Sequence, residues 1–138
     1  MPIYLQAVLG ACISFCVGII TNARVKISFY GAIFGGICYF IYALCDFKLI
    51  GYFLGTLSLA FLSEAATKFL KTPSTVFLII GIYPLVPGGG IYRTITLLIQ
   101  SDYIKALETG AKTFSEIILM TTAIAIVSTV SKNIIKHH

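Results

Sequence analysis

A helix of about 20 apolar residues is long enough to cross a bilayer, and this chain consists of little besides such runs. Five segments qualify: residues 3–22, 27–45, 49–70, 76–99 and 115–131. The joins at 23–26, 46–48 and 71–75 are short, and only 100–114 is longer. A soluble fold needs polar side chains to cover it, yet only 11% of the 138 residues are charged and 58% are hydrophobic. The expectation is an all-α integral membrane protein of about five transmembrane helices. It forms a single transmembrane domain over residues 1–138, multi-pass in the lipid bilayer of the cell (inner) membrane. The net charge of +5 is spread over scattered Lys and Arg residues, with no basic patch interleaved with aromatics, so nucleic acid is not an expected partner. No positive stretch precedes the first apolar run, which therefore reads as a retained span rather than a cleaved leader.

The longer join has its own periodicity. Tyr103, Leu107, Ala111 and Phe114 recur at helical spacing, and Asp102, Lys105, Glu108 and Lys112 fill much of the rest. This predicts a short amphipathic helix lying at the membrane surface. Cations alternate between joins. Arg24 with Lys26, Lys68 with Lys71, and Lys132 with Lys136 mark one side, whereas the 46–48 and 100–114 joins are balanced. The positive-inside rule then places the N-terminus outside and the C-terminus in the cytoplasm. Gly31 with Gly35 and Gly51 with Gly55 are close-approach pairs for packing, within the chain or on a partner.

The fourth run contains its own interruption, Gly81-Ile82-Tyr83-Pro84-Leu85-Val86-Pro87-Gly88-Gly89-Gly90-Ile91-Tyr92-Arg93-Thr94. Each proline removes a backbone donor and disfavours helix in the residue before it, and three glycines follow. Neither half crosses a core of about 30 Å alone, so the segment reads as one span broken near the midplane. Irregular backbone at that depth needs protein or a polar cavity to satisfy it. A second half-helix starting near Gly90 would present unpaired N–H groups and a partial positive charge. Arg93 adds a full charge one turn inside, and Tyr83, Tyr92 and Thr94 add hydroxyls. Pro87, Gly88, Gly89, Gly90 and Arg93, with Tyr83 and Tyr92, are thus the candidate site for a small carboxylate substrate. A structural kink is the alternative.

Ionisable groups inside spans are costly and therefore candidates for function. Glu64 stands four residues before Lys68, so the two share a helix face. They read either as a proton-coupling pair or as an ion pair at the end of the third span. Glu116 opens the fifth predicted span, where an acid suits a helix N-terminus. Asn22 reads as a polar contact between helices. Cys12, Cys16, Cys38 and Cys45 read as buried thiols that pack as small hydrophobes. The only histidines are His137 and His138, no CxxC occurs, and no paired carboxylates are present. The sequence therefore presents no metal site, no cofactor motif and no catalytic set.

Taken with Asn22 and the stretch Glu64-Ala65-Ala66-Thr67-Lys68-Phe69-Leu70-Lys71-Thr72-Pro73, the motif Pro84-Leu85-Val86-Pro87-Gly88 followed by Tyr92-Arg93 resembles the signature of threonine/serine exporter membrane domains. The chain resembles the small component of a split exporter. It departs at Arg24, where a proline is expected soon after the asparagine. The resemblance implies a larger companion membrane subunit and ion-driven export of threonine and serine, or of a dicarboxylate such as succinate. Two rivals stand beside it: an assembly subunit without a substrate site, and a small homo-oligomeric channel.

Overall fold

The computed structural model describes residues 2–46 and 48–136; His137 and His138 lie outside the described residues. Its elements are helical: α1 (Ile3–Ile20), α2 (Val25–Leu44), α3 (Leu49–Leu70), α4 (Ser74–Ile82), a single 3₁₀ turn (Tyr83–Leu85), α5 (Gly88–Ile99) and α6 (Tyr103–Lys136). Helices α1, α2, α3 and α6 are each long and apolar enough to span a membrane, and the bent pair Ser74–Leu85 and Gly88–Ile99 makes a fifth span if counted as one.

Left-handed residues set several helix ends. At the end of α1, Asn22 has φ 59°. The Ala23 N–H returns to the Gly18 carbonyl, which satisfies a carbonyl the helix leaves open. Asn22 is exposed, so its position explains a turn and not the expected contact between helices. Lys71 ends α3 with φ 48°. Ser101, with φ 61°, turns α5 into α6. There Asp102 caps the new helix, accepting from the Lys105 backbone N–H at 3.4 Å and pairing with its ammonium at 2.9 Å. That pairing with the Lys105 side chain holds the exposed Asp102 carboxyl below the usual carboxylate range.

Small residues let α1 to α4 close on one another. A Cβ on Gly18 would meet Ser28, one on Gly31 would meet Ile80, and one on Gly35 would meet Ser14 and the Gly81 carbonyl. Gly55 lies so near the Cys38 carbonyl that a Cβ there would stand 2.9 Å from it. Both close-approach pairs therefore serve packing within the chain. Phe77, Leu59 and Ile80 are the largest side chains sealed in this bundle. Of the cysteines only Cys38 is buried; Cys12 and Cys16 are exposed along α1, contrary to the sequence expectation.

Two further expectations are corrected. Residues 103–114 do not form a separate surface helix; they are the first third of a continuous α6 of 34 residues. Nothing between Phe114 and Ile117 stops a helix, and the Ser115 hydroxyl bonds back to the Ala111 carbonyl. The predicted apolar face, with Tyr103, Leu107 and Phe114, is exposed, while Ala106 and Thr113 are buried. Glu116 accordingly lies well inside a helix and not at its N-terminus. The fold also gathers the cations. Glu64 bonds both Ser74 and Ser131, so the end of α3, the start of α4 and the end of α6 share one end of the bundle. The α1–α2 turn joins them, because Gly31 and Phe34 of α2 meet Ile80 and Phe77 of α4.

Candidate functional site

Pro84 and Pro87 break the fourth span as expected. Helix α4 passes through the 3₁₀ turn, and α5 departs from it at 55°. Pro87, with φ −39° and ψ 49°, makes a tight turn in which the Gly88 N–H bonds to the Val86 carbonyl. Helix α5 starts at Gly88, two residues earlier than expected. The Ile91 N–H returns to the Pro87 carbonyl at 3.3 Å. The N–H groups of Gly89 and Gly90 find no acceptor among the described residues.

The break lies off the middle of the bundle, toward one end. Leu85 approaches Gly55, which stands about 9 Å along α3 from its start, and Pro84 approaches Gly10, about 10 Å along α1. That is about one third of the length of these two helices. The physical reason is that α4 and the following turn begin at the opposite end of the bundle and together cover about 18 Å, more than half of a core about 30 Å thick.

Helix α5 packs antiparallel on the first part of α6. A Cβ on Gly90 would run into the Thr113 hydroxyl, and one on Gly110 would stand 3.2 Å from Thr94 Cγ2. Stepping along this register brings Pro87 and Gly88 level with Glu116. The Thr94 hydroxyl is spent on the Gly90 carbonyl at 2.8 Å. No α5 residue is buried. A Cβ on Gly88 or Gly89 would enter open space, and Tyr83, Tyr92 and Arg93 are exposed, whereas Pro87 is buried. Arg93 has no carboxylate partner among the described residues.

Sequence reasoning gave Glu116 only a structural place, yet it is the carboxylate most withdrawn from solvent, with 8% exposure. It continues a stripe of Ala106, Thr113, Met120 and Ala123 that forms the buried side of α6. The 3–4 spacing of that stripe was the signal that could have located it. Tyr52 of α3 lies near Glu116, close enough for the two groups to interact electrostatically. The Tyr42 hydroxyl of α2 donates to Tyr52 Oη at 3.0 Å. Tyr39 packs edge-on against Tyr42 with ring centroids 5.7 Å apart. Tyr52 shares its apolar surroundings with Cys38, Leu85 and Met120. A buried acid, two linked phenols and the open N-terminus of α5 thus converge where the span breaks.

Glu64 and Lys68 do not belong to this cluster. Helix α4 and the 3₁₀ turn separate them from the break by about 18 Å. The expected ion pair is not formed. Glu64 Oε1 accepts from Ser74 at 3.0 Å and Oε2 from Ser131 at 2.9 Å. The one ion pair among the described residues is Lys105 with Asp102. Nor do the described residues contain a cluster of three or more His, Cys, Asp or Glu side chains able to hold a metal.

A family model described as Threonine/Serine exporter, ThrE, matches residues 6–130. No curated protein and no solved structure matches the chain.

Proposed function

The chain belongs to the threonine/serine exporter family, and on that premise we propose that it is one membrane subunit of a transporter whose substrate site lies at the break between α4 and α5. The observation that carries this reading is Glu116, an acid buried level with a helix N-terminus that has two unused N–H groups. A zwitterionic amino acid matches that pair of poles. Its carboxylate takes the Gly89 and Gly90 N–H groups and the Arg93 guanidinium. Its ammonium takes Glu116, with Tyr52 and Tyr42 orienting the carboxylate.

A dicarboxylate such as succinate would set its second negative charge against Glu116, so threonine and serine are the better substrates. One face of α5 is held by α6 and the rest is open, which supports a site completed by a larger companion subunit. The gathered cations support a C-terminus on the cytoplasmic side.

Efflux of radiolabelled threonine from cells carrying the chain and its partner tests the assignment. Arg93→Ala should abolish efflux at unchanged membrane abundance. Wild-type efflux in that variant would remove Arg93 from the site. An assembly subunit has a separate reason to be considered, because an exposed Arg93 and Tyr92 also suit contact with another chain. In that case Arg93→Ala would release the partner on purification, and substrate would protect no position on α5.

A further inference from the structure

Away from the break, α2 and α6 diverge across α3 and leave an open groove of about 640 Å³. Its walls include Ile37 of α2, Leu57 and Phe61 of α3, and Ile126, Val130 and Ile134 of α6. Between the levels of Leu57 and Lys68 the groove follows about 17 Å of α3, close to the depth of one leaflet. Lys68 lines its mouth. Both Glu64 oxygens are taken by serine hydroxyls, and Lys68 has no carboxylate partner among the described residues. Arg24, Lys26, Lys71, Lys132 and Lys136 lie at the same end, where Glu64 is the only acid in the sequence. The mouth is therefore cationic and the shaft aliphatic.

Close helix contacts in membranes favour small residues. Glycines line the α1–α2 and α2–α4 contacts, whereas no glycine lines this groove and most of its walls are Ile, Leu, Val and Phe. We propose that the groove holds an acyl chain of an anionic phospholipid, with the headgroup phosphate on Lys68. Basic mouths between spans attract anionic headgroups, and the aliphatic walls accept the chain.

Native mass spectrometry of the full chain in mild detergent tests this, titrated with phosphatidylglycerol and phosphatidylcholine of the same acyl composition. The expected result is one retained phosphatidylglycerol, held in preference to phosphatidylcholine. Lys68→Ala should cut that preference about fivefold, the factor one cation contributes near an anionic surface. Val130→Trp, at a half-exposed position, should fill the shaft and expel both lipids while the protein stays monodisperse. Equal retention of the two lipids, or an unchanged preference in Lys68→Ala, overturns the proposal. So does displacement of the lipid by glycerol phosphate, which would mean that the headgroup alone is bound. If Val130→Trp keeps its lipid and instead loses a co-purifying membrane chain, the groove is a protein interface and the proposal is wrong.

Discussion

Helices α4 and α5 are the two halves of one broken span, and they are built into the molecule in opposite ways. Helix α4 buries Phe77, Ile80 and Gly81 among α2 and α3, while α5 buries nothing and leans on α6 through Gly90 and Thr94. The first half is part of the bundle. The second offers its glycine backbone, Tyr92 and Arg93 to whatever lies beside it. The prolines separate a structural half from a half left available for binding.

This contrast can be broken or sharpened by substitution. The largest effect is expected where α4 is seated. A Gly35→Val side chain would meet Ser14 and the Gly81 carbonyl, and backbone cannot yield as a side-chain tip can. It should cost about 3 kcal/mol or more and appear as loss of the monodisperse species in size exclusion. Arg93→Ala comes next: efflux should be lost, while the melting temperature in detergent stays that of the wild type. If the protein melts earlier instead, α5 is as structural as α4 and the contrast fails.

For Glu116→Gln, which keeps shape and removes charge, threonine efflux should fall at least about tenfold, as expected when a charge-assisted bond is lost. Discrimination against succinate should weaken alongside it. Glu64→Gln should act on stability and not on efflux. Losing two hydroxyl bonds to an anion costs about 1–3 kcal/mol, and thermal melting will show it. The smallest change is Gly89→Ala. Its Cβ enters open space, so stability should hold or rise by up to about 0.5 kcal/mol, whereas efflux drops if substrate approaches the backbone there.

Much of the fold was legible because apolar runs and turn residues act locally. The limits of α3 at Leu49 and Leu70 and the break at Pro84 to Pro87 needed no tertiary information. Expectations failed where a distant contact decides. Nothing near Ser115 in sequence says that α6 continues through it. The depth of the break depends on where α4 begins against Glu64. Glu64 and Lys68 were paired by spacing, yet serines from α4 and α6 reach the carboxylate, and 67 positions separate Ser131 from Glu64. Glu116 was misplaced for a related reason. Its burial follows from α6 being one helix and from Tyr52 lying opposite. The motif at Pro87 to Arg93 was legible as a cluster, and its exposure was not, because exposure depends on which helices leave α5 uncovered.

Substrate protection at Gly89 tests the central claim most directly. Gly89→Cys would be placed in a chain whose four cysteines are replaced by alanine, in membranes that contain the proposed companion subunit. An aqueous maleimide would then be applied with and without threonine. The account predicts labelling that threonine slows several-fold and that succinate leaves unchanged. Labelling indifferent to threonine, or an introduced thiol that aqueous reagent never reaches, would contradict a substrate site at the break.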